Sequence, residues 1–159
     1  MGADIPFCIV GGGALVTGIG EELRAVDPMP QCYLAVACMG EGISTPWGYG
    51  KLDELHNNFE DAKPSDPRPE ILLQAMREDC ILAHTSCFFN IFEEIVPALR
   101  PRVGEIKRVM RENGALYAMM SGSGPSVFGI FPQGDGSARR AREALTALGI
   151  PAWVCEPVG

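Results

Sequence analysis

Residues 114–131 read GALYAMMSGSGPSVFGIF. Two apolar runs of strand length, 115–120 and 126–131, flank a loop made only of serine, glycine and proline. Such runs on either side of a turn predict two neighbouring strands. Toward the N-terminus, Val103, Ile106, Val109 and Met110 recur at helical spacing between Pro101 and Asn113, and Gly114 stands where a helix is commonly closed. Toward the C-terminus, residues 137–148 predict a second helix with Ala141, Leu145 and Leu148 on its apolar stripe and Gly149 at its end. Residues 150–155 then predict a last strand, and the apolar run from Cys32 to Met39 predicts a first one.

Three helices are expected between the first strand and residue 101. Ser44-Thr45-Pro46 has a hydroxyl near the N-cap and a proline in the first turn, so a helix should run from there to about His56. Residues 57–69 are polar and proline-rich, hence a loop. Residues 70–79 and 87–96 predict two more helices, the latter with Phe88 and Phe92 on one face and Pro97 at its stop. Setting these insertions aside leaves the order β-α-β-β-α-β. This predicts an α+β domain of the ferredoxin-like, split βαβ kind, with helices on one face of an antiparallel sheet.

The first residues do not fit that sheet. Residues 7–10 and 14–17 are short apolar runs around Gly11-Gly12-Gly13, which predicts a β-hairpin. A lone hairpin is marginal in water. The expected division is therefore 1–27, a remnant of another domain carrying this orphan hairpin, and 28–159, the domain just described.

The bulk properties exclude several classes. With 47% hydrophobic and 21% charged residues in 159, the chain can bury a core and is not disordered. A net charge of -7 argues against a nucleic-acid partner. It also means that any phosphate ligand needs local cations, or cations supplied by another segment. No run predicts a membrane span or a targeting segment. The six cysteines form no C-x-x-C pair, which suits reduced thiols in the cytoplasm. His56 and His84 lack metal-ligand spacing, so no metal ligands are assigned.

Candidate functional residues fall in three places. Ser121, Gly122, Ser123 and Gly124 could turn backbone amides toward a phosphate, and the same composition equally suits a plain tight turn. Thr45 and Tyr49, four apart on one helix, could offer a hydroxyl and an aromatic face to one ligand, or could simply pack. Asp4, between small residues and Ile5-Pro6, reads on its own as a turn residue.

Taken together the segments resemble a family. GADIPFC followed by GGGALVTGIGE (residues 2–8 and 11–21), GISTPWGYGKLD (residues 42–53) and NIFE (residues 90–93) resemble segments of the diphosphocytidyl-methylerythritol kinases. Residues 114–129 resemble the third motif of the wider galactokinase, homoserine, mevalonate and phosphomevalonate kinase superfamily. The resemblance implies transfer of the γ-phosphoryl of ATP, with Mg²⁺, to the 2-hydroxyl of a cytidine diphosphate substrate in non-mevalonate isoprenoid synthesis. It implies that Asp4 is the catalytic carboxylate, that Tyr49 stacks on the cytosine beside Thr45, and that Ser121 to Pro125 support the phosphates. The lysine and the glycine-serine loop that hold ATP in such kinases have no counterpart in the 159 residues. The expectation is a C-terminal fragment without turnover of its own, whose partner is the missing N-terminal half. Two alternatives remain at this stage: a homoserine- or mevalonate-type kinase, and a non-catalytic ferredoxin-like binding module.

Overall fold

The computed structural model describes residues 5–56 and 69–157. Its centre is a four-stranded antiparallel sheet of β3 (Tyr33–Ala37), β4 (Tyr117–Met120), β5 (Val127–Phe131) and β6 (Ala152–Cys155), in the order β4-β5-β3-β6. Strand alternation divides the sheet's faces. Ala35, Ala37, Ala118, Met120, Val127 and Phe131 are buried and belong to one apolar cluster. Over that face lie α5 (Pro101–Glu112) and α6 (Ser137–Ala147), which contribute Val103, Ile106, Val109 and Met110, and Ala138, Ala141 and Leu145. Gly129 lets α5 approach closely: a Cβ there would stand 2.9 Å from both Met110 Sδ and a Phe131 ring carbon.

Both helices end in the same way. The Ala115 amide donates to Met110 O at 3.0 Å and that of Gly114 to Arg111 O at 3.0 Å, with Gly114 at φ +97°. The Ile150 and Gly149 amides repeat the pattern to Leu145 O and Thr146 O, with Gly149 at φ +74°. These are Schellman closures, which only a residue tolerant of left-handed backbone permits without strain. Each releases the chain directly toward a strand of the sheet, as the two glycines led one to expect.

Two expectations need correction. Residues 7–10 are not a strand. They lie in the short helix α1 (Ile5–Val10), with Pro6 in its first turn and the Gly11 amide bonded to Phe7 O at 2.8 Å. The hairpin comes one element later, as β1 (Ala14–Thr17) and β2 (Glu22–Ala25). Residues 87–96 are not one helix either. Helix α2 (Thr45–Leu55) and α3 (Pro69–Arg77) form as expected, but beyond them the chain takes three 3₁₀ turns, at Ile81–Ala83, Thr85–Cys87 and Ile91–Glu94. Asn90 is extended (φ -143°, ψ 114°) and caps the third turn by accepting the Phe92 amide at 3.0 Å, so helical spacing does not carry from Phe88 to Phe92. Pro97 does not stop a helix; it sits in the first turn of α4 (Val96–Leu99). Residues 57–68 of the expected loop lie outside the described residues. No helix among the described residues is long and apolar enough to cross a membrane.

Candidate active site

The loop at residues 121–125 leaves the sheet between β4 and β5. Gly122 and Gly124 have φ of +55° and +80°, the left-handed region that glycine tolerates best. The Ser121 amide donates to Ser126 O at 2.8 Å and that of Gly124 to Ser121 O at 3.1 Å. Among the described residues, the Gly122 and Ser123 amides have no intrachain acceptor. Gly124 is tightly placed, since a Cβ there would overlap Met120 Sδ, whereas one on Gly122 would meet nothing within 4 Å. One side of the loop is thus packed and the other is open.

Two distant segments hold it. The Ser123 hydroxyl donates to Ile43 O at 3.0 Å and lies 3.3 Å from the Thr45 hydroxyl. Its proton being spent on Ile43, Ser123 accepts from Thr45. This fixes the start of α2 against the loop. Ser44 occupies the N-cap position but makes no side-chain cap bond. One turn further on, Tyr49 is 49% exposed, so part of its ring is available to a ligand. Its edge-on neighbour is the buried ring of Phe92, at 5.0 Å between centroids and 62° between planes. Gly48 makes that approach possible, because a Cβ on it would stand 2.8 Å from the Phe92 ring.

The second segment is residues 90–93. Asn90 Nδ2 donates to Met120 O and Gly122 O, both at 2.9 Å. Glu93 accepts the Met120 amide at 2.6 Å and pairs with Lys107. Tyr117 donates to Phe88 O at 3.1 Å. Burial, then the nearby Glu93 carboxylate, pushes its phenol up, and Arg111 partly offsets this.

The structure thus brings Thr45, Tyr49, Ser121, Gly122, Ser123 and Gly124 into one neighbourhood. Asp4 lies outside the described residues. The sequence alone assigns no tertiary partner to Asn90, Phe92, Glu93 or Lys107. Their partners lie 14–43 residues away in the chain, which no local pattern reveals. Two local signals existed, the resemblance of residues 90–93 (NIFE) to a kinase segment and an Asn at a cap position with an acidic residue three further on. Two unspent amides on an open loop face suit an anionic phosphate oxygen, as in a backbone nest. No cluster of three His, Cys, Asp or Glu side chains suited to a metal ion occurs among the described residues.

Comparison with known proteins defines the class first. Residues 68–150 match the family model described as GHMP kinases C terminal, and the chain belongs to that family. Within it, curated relatives point to one kind of enzyme. A 4-diphosphocytidyl-2-C-methyl-D-erythritol kinase of Lachnospira eligens is 39% identical over 132 residues, covering 83% of this chain and 44% of the relative. One of Pelobacter propionicus is 38% identical over 156 residues, covering 98% and 52%. A crystal structure of 4-(cytidine 5'-diphospho)-2C-methyl-D-erythritol kinase superposes with a TM-score of 0.76 at 34% identity, over 99% of this chain and 54% of that one. A homoserine kinase from Cytophaga hutchinsonii shares the fold, with a TM-score of 0.65 at 19% identity. The chain spans about half the length of the curated relatives it matches.

Proposed function

We propose that this chain carries the acceptor side and part of the phosphate site of a kinase that moves the γ-phosphoryl of ATP to the 2-hydroxyl of 4-diphosphocytidyl-2-C-methyl-D-erythritol. The observation that carries the reading is the meeting of three separate segments at Ser123. Thr45 and Ile43 bond to its hydroxyl, and Asn90 holds the carbonyl of the preceding Gly122. In this reading the half-exposed Tyr49 ring stacks on the cytosine, and the Gly122 and Ser123 amides face phosphate oxygens. Asp4 holds the acceptor hydroxyl in line and takes its proton as the oxygen bonds to phosphorus.

ATP supplies the phosphoryl group and ADP leaves. The open amides of the loop fit a phosphate. The described residues offer no metal ligand cluster, so no step is assigned to Mg²⁺. The strand order β4-β5-β3-β6 supports a ferredoxin-like sheet for residues 28–159, with residues 1–27 belonging to the kinase's other domain. The fitting partner for these 159 residues is an N-terminal half of the kind that the relatives possess. In its absence no phosphoryl transfer is expected, because the positioning groups for ATP have no counterpart among these residues.

Cytidine diphosphate binding by the 159-residue chain tests the site without requiring turnover. Tyr49→Ala should weaken binding by about 1–3 kcal/mol, the usual contribution of a base stacked on an aromatic ring, and Tyr49→Phe should leave it nearly unchanged. If both substitutions act alike in calorimetry, the ring is not a stacking platform.

A further inference from the structure

Strand β4 lies at an edge of the sheet, and an edge strand presents backbone groups that have no neighbouring strand. Here side chains take the place of one. Ala118 O accepts from Arg111 Nη2 at 3.3 Å. The Met120 amide is taken by Glu93, and Met120 O by Asn90. Asn90 then reaches one step beyond the strand, to Gly122 O inside the loop. Its two amide hydrogens therefore bridge the last strand residue and the first glycine. Its own oxygen is committed to the Phe92 amide, which fixes the side chain's orientation. Glu93 is anchored in turn by the partly buried Lys107 of α5.

We propose that Asn90 and Glu93 are positioning residues. Together they act as a two-residue substitute strand that sets where the Ser121-to-Pro125 loop leaves the sheet, and so the direction in which the Gly122 and Ser123 amides point. This deepens the phosphate reading of the loop and rests on it for its functional meaning. The geometry also makes segment 90–93 a link between the two ends of the site. Asn90 and Glu93 hold the loop, while Phe92, between them, supports the Tyr49 ring. A displacement of this turn moves both.

Asn90→Asp separates the two jobs of the side chain. Aspartate still accepts the Phe92 amide as a cap, but it cannot donate to Met120 O or Gly122 O. Amide hydrogen exchange followed by NMR in the 159-residue chain gives the readout. Exchange at Ser121 and Gly124 should quicken about 10-fold or more, as expected for losing two hydrogen bonds, while amides of α5 and α6 keep their protection. Asn90→Ser, neutral and still able to cap, should give the same local loosening without placing a charge against the carbonyls. It decides the matter if the aspartate variant does not fold. Titration with inorganic pyrophosphate supplies the second arm. It should shift the Gly122 and Ser123 amide resonances in the unaltered chain, and much less in the variants. Unchanged exchange at Ser121 and Gly124 in a folded variant would overturn the positioning role. Loosened exchange without any pyrophosphate response in the unaltered chain would uphold that role and count instead against the phosphate reading.

Discussion

Among the described residues two β-hairpins each turn on a pair of glycines, and they have opposite fates. The β1–β2 turn, residues 18–21, is held by its own neighbours. The Ile19 amide bonds to Glu21 at 2.6 Å, and Thr17 bonds to Glu22 at 2.8 Å. None of residues 5–31 is buried. The β4–β5 turn is instead held by residues 43, 45 and 90, and its strands run through the core. Glycine content alone does not separate the two. The separation comes from long-range hydrogen bonds to one turn and not the other, and the tethered turn is the one with the open amides.

Truncation should show the contrast at its largest. Phe131→Ala removes a fully buried ring from β5 and should cost about 3–5 kcal/mol in urea unfolding. Ile19→Ala trims a side chain that is 86% exposed and should stay within about 0.5 kcal/mol. Equal costs would mean that the first hairpin is packed in solution.

The glycines sharpen the same comparison. Gly124→Ala must adopt φ +80° and displace the Met120 sulfur, so the backbone and packing penalties combine to about 2–4 kcal/mol. Gly18→Ala at φ +67° meets only the carboxylate end of Glu21, which can swing away, leaving about 1–2 kcal/mol for the backbone.

The smallest effect concerns pH. Burial, then Glu93, raises the Tyr117 phenol above its ordinary 10.0, so the folded state keeps this proton more tightly than the unfolded chain does. The resulting stability is complete below pH 10 and falls as pH rises through the folded value. Tyr117→Phe should therefore flatten the alkaline limb of a stability-versus-pH curve. A limb left unchanged would place the titration elsewhere.

Legibility in the sequence followed the range of the forces. Helices α5 and α6 were readable because their stripes and closing glycines are local, and strands β3 to β6 because their apolar runs are bounded by turns. The relation of Thr45 and Tyr49 was readable for the same reason, being one helical turn. Residues 5–10 misled because a short apolar run has no intrinsic period, and Pro6 with Gly11 favoured a helical turn. Residues 87–96 misled because Asn90 spends its side chain on distant carbonyls and breaks the helix to do so. The joining of Ser123 to Ile43, about 80 residues away, is a property of the folded sheet and not of any window of sequence.

We propose that these residues form the acceptor half of a diphosphocytidyl-methylerythritol kinase with Asp4 at its chemical centre. The most direct measurement uses a chimera. This chain replaces the matching segment of the Pelobacter propionicus relative, which is 38% identical over 156 residues. ATP-dependent phosphorylation of the cytidine substrate is then followed. If the proposal holds, the chimera turns over and Asp4→Asn lowers kcat at least ~100-fold with little change in KM, as for loss of a general base. A folded, ATP-binding chimera without transfer, or an Asp4→Asn variant with unchanged kcat, would contradict it.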